Sequence, residues 1–177
     1  MLVERAFLLA LRAHDGQVRK HDGSPYIAHP VSVALVLSRH GFAEEVVAAG
    51  LVHDVLEDTA VSAAALRQAL GEDVHAIVSS LTEDKALPWE NRKAQYLKTI
   101  RTAPLEVKAV SAADKLHNLS NTLEEHARIG DLLWERFSRG KEAQREFYTE
   151  HLRACREGQD HPLFLEYEEV VQKFLAL

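Results

Sequence analysis

Apolar positions recur at three- and four-residue spacings along nearly the whole chain, and no stretch alternates convincingly with a period of two. Residues 3–14 show this first, with Ala6, Phe7, Ala10, Leu11 and Ala13 on one stripe. Asp15-Gly16 ends that helix, and residues 17–28 form a polar loop around the turn signal Asp22-Gly23-Ser24-Pro25. A second helix starts at His29-Pro30, with proline in its first turn, and stops at Gly41. The pattern predicts a third, mostly apolar helix over residues 43–58. It then predicts a helix capped by Ser62 that ends at Gly71, and another over 72–81. Residues 82–89 read as a charged loop broken by Pro88, 90–102 as a helix, and 105 to about 127 as a long Ala- and Leu-rich helix. Stretches 131–139, 141–157 and 163–175 complete the series, with Gly158 and Pro162 marking the last break. The expected fold is a single all-α domain of about eight to ten helices, packed ridge into groove.

Composition narrows the class. The 177 residues are 46% apolar and 27% charged, enough for one domain with a sizeable core. The longest apolar run, 46–52, is far too short to cross a bilayer, and the first residues carry no signal-peptide pattern, so no membrane partner and a cytoplasmic location are expected. Cys155 is the sole cysteine, which excludes an intramolecular disulfide and a thiolate cluster. A net charge of −6 argues against nucleic acid as partner but leaves room for a small anionic substrate held by a local cluster of cations. Histidines number ten, so the question is which of them converge.

Three His-Asp dipeptides occur. His14-Asp15 sits at a helix end and His21-Asp22 in a turn-rich loop, where both residue types are common for capping reasons. His53-Asp54 differs, because it follows the apolar run Val46-Val47-Ala48-Ala49-Gly50-Leu51-Val52 and precedes Glu57-Asp58. Four ionisable groups at the end of a buried helix are costly unless paired or bound to metal. On a continuous helix His53 lies over Glu57 and Asp54 over Asp58. Elsewhere, Tyr26-Ile27-Ala28-His29-Pro30 sets a histidine at a helix start, and Asp114 and Asn118 are i, i+4 neighbours on a long apolar helix.

In order, these segments read His … His-Asp … Asp, an arrangement that resembles the HD phosphohydrolase superfamily. Ser24-Pro25-Tyr26-Ile27-Ala28-His29-Pro30, His53-Asp54-Val55-Leu56-Glu57-Asp58-Thr59 and Ala113-Asp114-Lys115-Leu116-His117-Asn118 look like the hydrolase domain of the bifunctional Rel/Spo alarmone enzymes. Leu81-Thr82-Glu83-Asp84-Lys85 with Leu87-Pro88 and Arg92-Lys93 looks closer to the stand-alone small alarmone hydrolases. The resemblance covers about residues 5–123 and leaves 124–177 as a helical extension without a motif, whose aromatic residues read as core or as the face of a homodimer.

The resemblance implies His29, His53, Asp54 and Asp114 as ligands of one divalent metal, with Mn2+ the expected ion. It implies Glu57 and Asp58 as the catalytic acidic pair. It points to Arg19, Lys20, Lys85, Lys115 and Asn118 as substrate contacts. The implied reaction removes the 3′-pyrophosphate of guanosine tetra- or pentaphosphate. The alternatives are an HD phosphatase acting on another nucleotide or dinucleotide such as NADPH, and a binding module without catalysis. Two departures bear on substrate choice: the loop from Lys20 to Pro25 is one residue longer than in the bifunctional enzymes, and Ser120-Asn121 replace their usual Arg and Thr.

Overall fold

The computed structural model describes residues 1–19 and 22–177, so Lys20 and His21 lie outside the described residues. Among the described residues the chain forms α1 (Leu2–Ala13), α2 (Ala28–Arg39), α3 (Glu44–Val52), α4 (Val55–Asp58), α5 (Ala63–Leu70), α6 (Glu72–Leu81), α7 (Trp89–Thr102), α8 (Leu105–Ile129), a 3-10 helix (Gly130–Arg136), α9 (Gly140–Arg156) and α10 (Pro162–Leu175). Extended pairing is limited there to one isolated bridge, Val18 with Pro25, which pins the loop ahead of α2. The all-α expectation holds, and Ser62 caps α5 by accepting from the Ala65 N–H at 3.2 Å. No helix is long and apolar enough to cross a membrane among the described residues.

Helix α3 is the centre of the packing. It touches α1, α2, α6 and α8, and every residue from Val46 to Val52 is buried. A helix that is apolar all round belongs in a core. Gly50 sets how closely α3 meets α2: a Cβ at this position would lie 2.6 Å from Leu37 Cδ1 and 3.5 Å from the Ala34 Cα. Helices α2, α3 and α8 pack against one another, which brings together segments far apart in sequence.

Two elements differ from the sequence reading. The helix expected over 43–58 breaks at His53-Asp54 into α3 and α4. The His53 ring Nδ1 meets the Gly50 carbonyl at 2.8 Å, competing with the helical ladder, and Asp54 takes φ −95°, ψ −6°. Glu57 and Asp58 N–H groups then both donate to the Asp54 carbonyl, at 3.1 and 2.9 Å, so a new short turn starts from Asp54. The helix expected over 131–139 is instead the 3-10 segment, which leaves α8 at Gly130 (φ +60°). Of the C-terminal aromatic residues, Phe147, Tyr148, Phe164, Tyr167 and Phe174 are core, buried where α9 and α10 pack on α7 and α8, whereas Trp134 and Phe137 are half-buried.

Candidate metal centre and its cavity

The start of α2, the break after α3 and the middle of α8 converge on one point. His29 Nε2 lies 3.2 Å from His53 Nε2, 3.2 Å from Asp114 Oδ1 and 3.6 Å from Asp54 Oδ2. His53 Nε2 lies 3.1 Å from Asp54 Oδ2 and 3.7 Å from Asp114 Oδ1. Donors about 2.1 Å from one ion are about 3.0 Å apart at right angles and about 3.4 Å apart at the tetrahedral angle. His29, His53 and Asp114 are therefore gathered at the spacing of a single coordination sphere, with the Asp54 carboxylate close to both imidazoles. His29, His53 and Asp114 are buried and form a compact group suited to a metal ion.

The electrostatics fit a cation equally well. Burial pushes the Asp54 and Asp114 carboxyls up, but the adjacent imidazoles, and Lys115 beside Asp114, outweigh it and hold both well below the usual range. Burial opposes charge on His53, yet Asp54 and Asp114 hold its proton well above the usual pKa, whereas burial lowers that of His29. Two ionised carboxylates thus favour one positive charge at the point where the donors meet.

Partners behind the donors orient them. His53 Nδ1 is fixed by the Gly50 carbonyl, leaving Nε2 facing the centre. His29 Nδ1 meets His117 Nδ1 at 2.8 Å. The Tyr26 hydroxyl donates to Asp54 Oδ2, and Asn118 Nδ2 donates to Asp114 Oδ1 at 2.6 Å. Lys115 Nζ pairs with Asp114 Oδ2.

A cavity of about 190 Å³ opens from the centre, walled by Glu57, Glu83, Tyr96, Ser111 and Lys115 as well as the donors. A broader groove of about 740 Å³ lies beside it, lined by Val18, Asn121, Leu133, Phe137 and Tyr148. Arg19, Tyr26 and Asn118 line both. Arg19 lies over the Tyr26 ring, 6.0 Å from its centroid, and donates to Asn118 Oδ1 at 3.4 Å.

The acidic pair divides between these spaces. Glu57 faces the cavity, its carboxyl pushed up chiefly by burial, and accepts from the Glu83 N–H at 3.3 Å. Asp58 lines the groove. Lys85 bridges them, bonded to Asp58 and 3.5 Å from Glu57 Oε1. Lys20 lies outside the described residues. Lys93 pairs with Glu83 at 2.6 Å, and Arg92 Nε lies 3.8 Å from the same carboxylate.

Sequence reasoning missed Tyr26 as a partner of Asp54, His117 as a partner of His29, and the wall residues Glu83, Tyr96 and Ser111. Helical spacing carried a signal for two of them, because Ser111 and His117 stand three residues either side of Asp114 on α8.

An all-helical domain with a buried His/His-Asp/Asp cation centre beside a nucleotide-sized groove is the class that fold and site define. The chain belongs to the HD domain family, which matches residues 6–137. It is 36% identical over 121 residues to the zebrafish (Danio rerio) guanosine-3′,5′-bis(diphosphate) 3′-pyrophosphohydrolase MESH1, covering 67% of each chain. It is 38% identical over 129 residues to a probable enzyme of the same name from Synechocystis, covering 67% of this chain but only 16% of that longer protein. Among solved structures, lmo0812 from Listeria monocytogenes superposes with a TM-score of 0.80 at 38% identity, over 84% of this chain and 99% of that one. A metazoan ortholog of SpoT, described as hydrolysing ppGpp, superposes with a TM-score of 0.83 at 25% identity, over 97% and 94%. Family and relatives together indicate a phosphohydrolase that uses a divalent metal.

Proposed function

We propose that this chain is a guanosine tetra- and pentaphosphate 3′-pyrophosphohydrolase in which His29, His53, Asp54 and Asp114 hold one Mn2+. The observation that carries the reading is the convergence of two imidazoles and two carboxylates, each histidine Nε2 lying 3.1–3.7 Å from an oxygen of both Asp54 and Asp114, in a cavity that opens through shared walls into a groove large enough for a nucleoside. The relatives' printed activity supports the choice of substrate. In the reaction, water adds to the phosphorus attached to the ribose 3′ oxygen, the P–O3′ bond breaks, and that oxygen takes a proton.

The metal would supply a Lewis acid that acidifies water and offsets phosphoryl charge. The protein's own residues do the rest. Glu57, half-buried on the cavity wall, accepts the proton from the attacking water; burial raises its carboxyl and so makes it a stronger base for that proton than an exposed one. Asp58 anchors Lys85, whose ammonium also stands near Glu57 and meets the substrate's outer phosphates. Arg19 stacks on the base or binds phosphate at the junction of cavity and groove, and Asn118 faces the ribose. Lys115 holds Asp114 in place and offsets charge on the departing pyrophosphate.

The experiment is product analysis with purified, Mn-loaded protein offered guanosine tetraphosphate, NADPH and nucleoside monophosphates in parallel. Pyrophosphate and GDP from the alarmone, with little release from the others, is the expected result. Phosphate from NADPH alone would keep the metal centre and replace the substrate.

A further inference from the structure

Behind the cavity, four side chains on four helices form one line of hydrogen bonds. Tyr167 Oη of α10 lies 2.8 Å from His151 Nδ1 of α9, and His151 Nε2 lies 2.7 Å from Ser111 Oγ of α8. Ser111 Oγ lies 2.6 Å from Tyr96 Oη of α7. All four residues are buried. Ser111 and Tyr96 line the metal cavity, whereas His151 and Tyr167 lie beyond residue 137, where the family match ends.

The buried end of this line fixes its direction. A hydroxyl removed from water needs somewhere to donate. Among the described residues the Tyr167 hydroxyl meets one hydrogen-bonding group, His151 Nδ1, so it donates there. Burial keeps the imidazole neutral, its pKa well below the usual value, so its single proton sits on Nε2 and points at Ser111. Ser111 then directs its own proton to Tyr96 Oη. The Tyr96 phenol stays protonated, pushed up to about 12 chiefly by burial, and with Ser111 as its donor its own O–H is left for the cavity that Tyr96 lines. The reverse direction satisfies Ser111 and His151 equally but leaves the Tyr167 proton without an acceptor. Cys155 Sγ, 3.8 and 3.7 Å from the two ring nitrogens, is too weak a partner to reverse this. On the cavity side, Lys115 Nζ lies 5.1 Å from the Tyr96 ring centroid, so the phenol stands beside a cation where an anion would be held.

We propose that Tyr96 donates a hydrogen bond to a phosphoryl oxygen in the metal cavity, and that Ser111, His151 and Tyr167 are positioning residues that set the direction of that donor. The assignment rests on the phosphohydrolase reading for the identity of the anion alone. It gives the C-terminal helices, which carry no motif, a part in the chemistry of the site.

Two measurements test it. In nitrogen-15 NMR of histidine-labelled full-length protein, His151 should be the Nε2-protonated tautomer; an Nδ1-protonated ring would overturn the direction of the line. In calorimetric titration of Mn-loaded protein with inorganic pyrophosphate, Tyr96→Phe should weaken binding by about 10- to 100-fold, the loss of one bond to a charged group. Unchanged affinity in that variant would overturn the donor. Tyr167→Phe frees both directions of the line and should weaken binding about two- to five-fold, an effect that disappears in a Ser111→Ala background, where Tyr96 has no inward acceptor. A loss that persists in that background would assign Tyr167 a packing role only. Neither readout needs alarmone turnover, so absence of that activity would remove the substrate reading and leave the donor standing.

Discussion

Glu57 is a costly carboxylate. Its side chain is only 21% exposed, and burial raises its pKa against the opposing pull of the Glu83 N–H and Lys85. A carboxyl raised on folding contributes stability below its unfolded pKa, and that contribution is lost as pH rises through the folded value. Above that window the ionised form destabilises the protein. Glu57→Gln keeps the shape and removes the charge, so in metal-free protein it should melt higher than wild type at pH 8, by about 1–4 °C, with the difference vanishing towards pH 4. The same variant should lower kcat by about two to four orders of magnitude while Mn2+ still binds stoichiometrically. Thermal melts at the two pH values and a metal titration check both halves. A variant that melts lower at pH 8 would show that the ion pair with Lys85 outweighs burial. His117 belongs to the same scale: His117→Phe removes the partner of His29 Nδ1 and should weaken Mn2+ binding about 10- to 100-fold, read by titration against a competing chelator.

At the scale of elements, the decisive event is the end of α3. The helix breaks there, which directs the His53 and Asp54 side chains to the proposed metal centre while Asp54 starts a new turn that carries Glu57 and Asp58. The contact of α3 with α2 fixes how far His53 stands from His29. Gly50→Ala adds a methyl that meets Leu37 Cδ1 at 2.6 Å in a fully buried setting. Overpacking of this kind costs about 1–3 kcal/mol, partly offset by about 1 kcal/mol of helix propensity. Net destabilisation of about 1 kcal/mol is expected, together with weaker metal binding, measured by denaturant titration and by Mn2+ affinity on one preparation. Wild-type metal affinity with reduced stability would show that Leu37 moves alone and the helices stay in place. Most elements were legible from periodicity, because apolar stripes, Ser62, Gly41 and Gly71 act locally. The break within 43–58 was not, since a run of apolar residues before His-Asp reads as one helix until the ring of His53 takes up the Gly50 carbonyl. Nor was the 3-10 form of 130–136, where a helical stripe is present but the chain turns at Gly130.

For the whole molecule, the metal centre joins three helices that are already held by the apolar core around α3. Removal of metal by a chelator should therefore abolish activity while helical circular dichroism stays native. Restoring Mn2+ at about 100 times its Kd should raise Tm by about 5–10 °C, from roughly 2.7 kcal/mol of linkage. Loss of helical signal on chelation would show instead that the metal is part of the core.

The sequence by itself determined the helical architecture and singled out the residues that converge on the proposed metal centre, because these depend on periodicity and on motifs read in order along the chain. Only the tertiary structure decided how they divide the work. It sent Glu57 to the cavity and Asp58 to the groove, because one short turn of helix points consecutive side chains to different spaces. It also brought His151 and Tyr167 behind Ser111 and Tyr96, a juxtaposition of residues up to 71 positions apart that rests on helix packing and on the need of buried polar groups for partners.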